Sequence, residues 1–240
     1  MKRTVAILSL LCTALPAAAA PEALLVPHTS AAGYLARLLI NESAFPGERG
    51  YVSEADTRAT MRALVLALDA RIHRVPDGYT REEVAATRST DVIDVITAGG
   101  RRGQMEGFYR DRDGTPCLAP RVAARVANLV RIASQGEPDR FARLLTYAQR
   151  LATDYLDGVT PQPDPYAAIT RIPPKAVTGR AYGWMTDMDY YHPGGHFVRI
   201  PDRMRGRLGG NRFYTLLKRA SPAPPQPSPR TKPLVTLPAS

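Results

Sequence analysis

Cysteine is nearly absent from this chain: the sequence holds two, Cys12 and Cys117. Cys12 falls inside an N-terminal apolar run, behind the bulky Leu11, where a lipid-anchored leader would want a small residue. Only Cys117 is then expected in the mature chain, so no intrachain disulfide can form and the fold must rest on its core. As a nucleophile Cys117 is a poor candidate, because Thr115-Pro116-Cys117-Leu118 brings no histidine near it in sequence, and it is read as an inert thiol. Long apolar runs are missing too. Beyond the N-terminus nothing approaches the ~18 apolar residues that a membrane-spanning helix requires, so no transmembrane segment is expected. Negative charge is in deficit, with 22 acidic residues against 32 lysines and arginines, for a formal net charge of +10. Such a surface suits anionic partners: wall polymers carrying carboxylates, phospholipid headgroups or nucleic acid.

The N-terminus combines Met1-Lys2-Arg3, an apolar run from Thr4 to Leu15 and the small-residue stretch Pro16-Ala17-Ala18-Ala19-Ala20. That order is the order of a secretory signal peptide, so residues 1–20 are expected to be removed and the mature protein to reside in the periplasm or at the cell surface. Loss of Lys2 and Arg3 lowers the formal charge from +10 to +8. Export argues against nucleic acid as the ligand, and the basic runs Arg101-Arg102 and Arg203-Met204-Arg205-Gly206-Arg207 read as solvated faces. Residues 220–240, with Ser221-Pro222-Ala223-Pro224-Pro225-Gln226-Pro227, are Pro-rich and basic and read as an extended, disordered tail. One domain over 21–219 remains.

Within that domain the pattern is mainly helical. Helices are expected over about Ser30 to Asn41; from an N-cap at Ser53 through Met61, Leu64, Val65, Leu68 and Ile72; after a capping box at Thr80-Arg81-Glu82-Glu83; and over Asp91 to Ala98, stopped by Gly99-Gly100. Two further helices carry Val122, Val126, Leu129 and Val130, and Phe141, Leu144, Leu145, Ala148 and Leu151, the latter opened by Pro138. Gly103 to Leu118, with the turn-like Arg112-Asp113-Gly114, suits a small β-hairpin or an extended loop. Thr160 to Leu208, punctuated by proline and glycine and rich in aromatics, reads as a long loop region that builds a groove. The expected class is mainly α, of α+β type.

Glu42 is the candidate for chemistry. It lies four residues after Leu38 and seven after Leu35, on the apolar stripe of the first helix, and a carboxyl group at the lip of an apolar face has its pKa raised by desolvation and can serve as a general acid. The structural alternative is a glutamate that caps or salt-bridges a helix end. No second acid is paired with it: Glu48, beyond Pro46-Gly47, reads as an exposed loop residue. A second constellation, Asp187-Met188-Asp189-Tyr190-Tyr191-His192-Pro193-Gly194-Gly195-His196, has metal-ligating side chains, but Pro193 and the paired glycines prevent the helix that would align His192 with His196. No metal and no cofactor are expected.

Asn41-Glu42-Ser43-Ala44 at a helix end, the Met61 to Ile72 helix, the Gln104 segment, Gly179-Arg180-Ala181-Tyr182-Gly183-Trp184 and Leu208-Gly209-Gly210-Asn211-Arg212-Phe213-Tyr214 follow one another in an order that resembles the cell wall hydrolases of the spore-cortex-lytic (SleB-like) type. The resemblance spans about Ala32 to Lys218, with Asn41 and Ser43 where the family usually has Gly and Ala, and Asn211 where it usually has His. It implies a lysozyme-like lytic transglycosylase that cleaves the glycan strands of peptidoglycan. It further implies Glu42 as the catalytic acid and Gln104, Tyr182, Trp184, Asn211 and Tyr214 as substrate-binding groove residues. Two alternatives stand beside it: a noncatalytic glycan-binding component of envelope or secretion machinery, and a metal-dependent wall amidase or peptidase.

Overall fold

The computed structural model describes residues 25–135, 140–186 and 194–219. The leader, the tail, Pro138 and the segment from Asp187 to Pro193 lie outside the described residues. Among the described residues six α-helices carry the core: α1 (Ala31–Asn41), α2 (Glu54–His73), α3 (Arg81–Ala85), α4 (Val92–Thr97), α5 (Pro120–Ser134) and α6 (Arg140–Leu156). Their starts follow from local chemistry. The side chains of Ser30, Ser53, Thr80 and Asp91 each accept a backbone N–H of the first turn, and Thr80 with Glu83 forms a reciprocal capping box.

The first helix is the axis of the molecule. Tyr34, Leu35, Ala36, Leu38, Leu39 and Ile40 are fully buried, because α6, α5, α4 and α2 pack around it. Burial on α2 extends past the expected stripe to Thr57, Thr60, Ala63, Ala67 and Arg71. That helix is therefore enclosed on most of its circumference, whereas α5 and α6 bury one face each.

Strands β1 (Phe108–Arg110) and β2 (Pro116–Leu118) form the expected hairpin, antiparallel with Tyr109 opposite Cys117. The Tyr34 hydroxyl, on α1, donates to the Cys117 carbonyl at 2.8 Å and ties the hairpin to the core.

The segment expected as a long loop is different. It contains β3 (Arg171–Ile172), β4 (Lys175–Ala176), β5 (Gly183–Thr186), β6 (Phe197–Arg199) and β7 (Arg207–Leu208), and it leads into β8 (Asn211–Leu216). β3 and β4 pair with each other; in the larger antiparallel sheet β8 pairs with β5 on one edge and with β6 and β7 on the other. Five of these strands are only two to four residues long, too short for alternation to rise above their prolines and glycines. Mixed helix and antiparallel sheet, kept largely apart along the chain, make the fold α+β. Among the described residues no helix is long and apolar enough to cross a membrane.

The turn from β7 to β8 positions the sheet on the helices. Gly209 and Gly210 have φ of +53° and +79°, the left-handed pair that a two-residue hairpin loop requires. The Gly209 N–H donates to Asp56 at 2.9 Å, and a Cβ there would collide with Thr60 Oγ1 of α2. Asn211 follows directly, facing the end of α1.

Candidate active-site cleft

Glu42 is the C-cap of α1, its N–H still donating to the Leu38 carbonyl at 2.9 Å. Its side chain continues the helix's apolar face out of the core and into a cleft of about 530 Å³, whose lining includes Asn41, Gln104, Glu106, Arg121, Arg125 and Trp184. The carboxylate accepts from Asn41 Nδ2 at 2.9 Å on Oε1 and from Trp184 Nε1 at 3.1 Å on Oε2. Burial raises the Glu42 pKa above the ordinary glutamate value, and the two hydrogen bonds, with the charges of Arg125 and Arg121, offset only part of that rise. The result is a carboxyl group with access to solvent through the cleft, fixed in orientation and more readily protonated than an ordinary glutamate.

Register explains which aromatic residue reaches it. In an antiparallel pair directly opposed residues share a face, so Trp184 opposite Phe213 and Thr186 opposite Asn211 point together toward α1, and Tyr214, opposite Gly183, points the other way. Asn211 Nδ2 donates to the Glu42 carbonyl, pinning the backbone that carries the acid. Behind Trp184 lies Arg71, only 6% exposed. Its guanidinium sits 5.3 Å from the indole centroid, donates to Gln104 Oε1 at 2.6 Å and, through Nε, to the Tyr182 carbonyl at 2.5 Å. Burial pulls the Arg71 pKa down to about 10, so it stays charged at neutral pH. It has no acid partner among the described residues, and its charge is balanced by the π-face and the two carbonyl oxygens.

The residues expected in the site thus divide. Glu42, Gln104 and Trp184 line one cleft, and Asn211 holds Glu42 from behind. Asn211, which is 3% exposed, Tyr182 and Tyr214 do not line it, which corrects the reading of all three as groove residues. Tyr182 is 2% exposed, donates its hydroxyl to the Arg74 carbonyl at 2.7 Å and packs with Ala70, Val84 and Leu216; Tyr214 is 3% exposed. A rigid ring with one hydrogen-bonding end serves a core as well as a groove, and composition alone does not separate the two.

Three charged residues of the cleft, Arg125, Arg121 and Glu106, lie outside the sequence reading. Arg125 of α5 donates to the Ile40 carbonyl at 2.7 Å, to the Ser43 carbonyl at 2.9 Å and through two nitrogens to Glu48. It therefore ties the C-terminal end of α1 to the loop behind it. Glu48 is consequently not a loose surface carboxylate: it also accepts the Phe45 N–H at 2.7 Å. Glu106 is a second carboxylate at the cleft, well exposed and paired with Arg121 at 2.8 Å. Nothing local in the sequence marks any of the three, because each acts on residues far along the chain.

A separate hollow of about 540 Å³ contains Cys117 and His28 and is otherwise mainly aliphatic. No hydrogen bond joins the thiol to the imidazole among the described residues, and Cys117 lies instead 3.8 Å from Asp111 Oδ2. Among the described residues no group of three or more histidine, cysteine, aspartate or glutamate side chains is placed to hold a metal; Asp187, Asp189 and His192 lie outside them. His196 is described, and its ring meets the edge of Tyr79 at 5.8 Å between centroids. The chain matches no protein-family model, no curated protein and no solved structure.

Proposed function

We propose that this protein is a peptidoglycan-degrading enzyme with a lysozyme-like domain, cleaving the glycan strand between amino sugars as a lytic transglycosylase with Glu42 as its catalytic acid and base. The observation that carries this reading is the Glu42 carboxyl itself: a single acid at the end of a buried helix, its pKa raised by burial, oriented by Asn41 and Trp184 and opening onto a cleft. Glycosidic cleavage commonly uses two carboxylates, an acid and a base or nucleophile. A transglycosylase needs one. Protonated Glu42 gives its proton to the leaving glycosidic oxygen, the substrate's own N-acetyl group stabilises the sugar cation, and the carboxylate then takes the proton of the 6-hydroxyl as that oxygen closes on the anomeric carbon. The proton removed in the second step replaces the one given in the first, and Glu42 is regenerated without water.

Gln104 and the Trp184 ring edge supply hydrogen bonding and a flat apolar face beside the acid, features that suit a sugar ring. A leader-bearing, basic chain fits an anionic wall polymer in the periplasm or at the cell surface. Because Glu106 is the other carboxylate at the cleft, it provides the sharpest test of the one-acid mechanism. Labelled sacculi incubated with the protein should be solubilised, and Glu106→Gln should retain turnover within about threefold, since its pairing with Arg121 is exposed and worth less than about 1 kcal/mol. A loss of about a hundredfold or more in that variant would replace the single-glutamate mechanism by a two-carboxylate one. No solubilisation by the parent protein would favour the noncatalytic glycan-binding reading.

A further inference from the structure

We infer that a second groove, along the face of α2 that carries Arg58, Arg62 and Leu66, is a docking site for an acidic peptide segment of a partner protein whose apolar side chains alternate with its carboxylates. Two adjoining hollows of about 350 and 510 Å³ share Arg62 and Gln162. Neither shares a residue with the Glu42 cleft. Together they are lined by four arginines and one aspartate. Arg58 is answered by Glu54 at 2.5 Å and Arg150 by Asp154 at 3.5 Å. Arg62 and Arg205 are exposed, and neither has an acid partner among the described residues. Between them the groove is apolar, formed by Ala63, Leu66, Pro163 and Leu208, with Val159 60% exposed at its end.

Arg205 carries a second indication. Its backbone sits at φ +59°, a conformation that glycine adopts freely and that an arginine occupies only at a cost in strain. Its structural duties are both backbone ones, the carbonyl accepting the Tyr166 hydroxyl at 3.0 Å and the N–H donating to the Asp202 carbonyl at 2.9 Å, and glycine would provide both equally well. An exposed guanidinium on strained backbone beside an apolar trough, with no acid partner among the described residues, marks a side chain kept for binding.

Charge and shape select the occupant. Two guanidiniums without an acid partner among the described residues favour carboxylates, which they bind through paired N–H donors. The recessed apolar floor gives no advantage to a phosphodiester or sugar polyanion, and a bilayer is met by protruding side chains, not by a trough. The chain's own termini do not complement the groove: residues 220–240 contain no acid, and residues 1–24 contain one, Glu22, against Lys2 and Arg3.

The test uses the full chain and three labelled peptides of equal length, built from Leu and Glu, from Ser and Glu, and from Leu and Lys, with binding followed by fluorescence anisotropy. The Leu/Glu peptide is expected to bind saturably and at least about tenfold more tightly than the Ser/Glu peptide, and the Leu/Lys peptide is expected not to bind. Combining Arg62→Glu with Arg205→Glu should weaken binding at least about tenfold, whereas Arg112→Glu, an exposed reversal elsewhere, should change it less than about twofold. Arg205→Gly should weaken binding and raise the melting temperature, because it removes the guanidinium and relieves the strained backbone together. The inference is overturned if no peptide binds, if the Ser/Glu and Leu/Glu peptides bind alike, or if the double reversal behaves like Arg112→Glu. It is also overturned if anionic phosphatidylglycerol vesicles bind through Arg62 and Arg205 while the peptides do not.

Discussion

Replacing Glu42 with glutamine is expected to remove about two orders of magnitude or more of glycan cleavage while leaving the protein folded. Glutamine keeps the shape, its amide oxygen accepting from Trp184 and its amide N–H donating to the oxygen of a flipped Asn41 amide, but it can neither deliver nor recover a proton, and general acid–base catalysis contributes on this scale. The variant separates two roles that the site combines. A carboxyl group whose folded pKa lies above its unfolded value binds more protons in the native state, so the stability it contributes is fully present below the ordinary glutamate pKa and is lost as pH rises through the raised folded value. Glu42→Gln removes that pH-dependent loss. Its melting temperature at neutral pH should be no lower than the parent's, and the fall in parent stability with rising pH should flatten. Cleavage by the parent should likewise decline as pH rises past the folded pKa of Glu42, because the acid must begin protonated. A glutamine variant with near-parental turnover would remove Glu42 from the chemistry. One that is inactive and also markedly destabilised would return Glu42 to the role of a helix-end cap.

Replacing Arg125 with alanine is expected to cost about 2–4 kcal/mol of stability, measured by denaturant unfolding. The change strips partners from the Ile40 and Ser43 carbonyls, leaves Glu48 without its cation and removes a guanidinium lying 5.7 Å from the Phe45 ring centroid. The half-buried setting places the cost below that of a fully buried pair. Arg125→Lys should recover only part of the loss, since one ammonium cannot span two carbonyls and a carboxylate as a planar fork does. A destabilisation by alanine of less than about 0.5 kcal/mol, the range of an ordinary surface change, would show that the end of α1 holds its shape without this clamp.

How far the sequence foretells this architecture depends on the range of the interaction. Ser30, Ser53, Thr80 and Asp91 announce their helices because each bonds a backbone N–H within three residues. The position of Glu42 is legible because the Leu35 and Leu38 periodicity carries straight on to it at the end of α1. The sheet is not legible: β8 has six residues, but its partners are short and separated by proline and glycine. Its consequence, that Trp184 and Asn211 face α1 while Tyr214 turns away, depends on a cross-strand register that no local pattern encodes. Arg125 and Arg71 act on residues 77 and 33 or more positions away, and each looks in sequence like any other arginine on a helix. The Gly209-Gly210 pair falls between. The turn it makes can be foreseen, but its docking against Asp56 and Thr60 of α2 cannot.

The proposed cleavage of glycan through Glu42 is tested most directly by incubating the mature protein with purified peptidoglycan and identifying the soluble products by mass spectrometry. Muropeptides ending in 1,6-anhydro sugars, absent from a parallel digest with Glu42→Gln, are the expected result, because only intramolecular attack by the 6-hydroxyl leaves that ring. Free stem peptides with intact glycan strands, or no soluble product from a folded protein, would contradict the account.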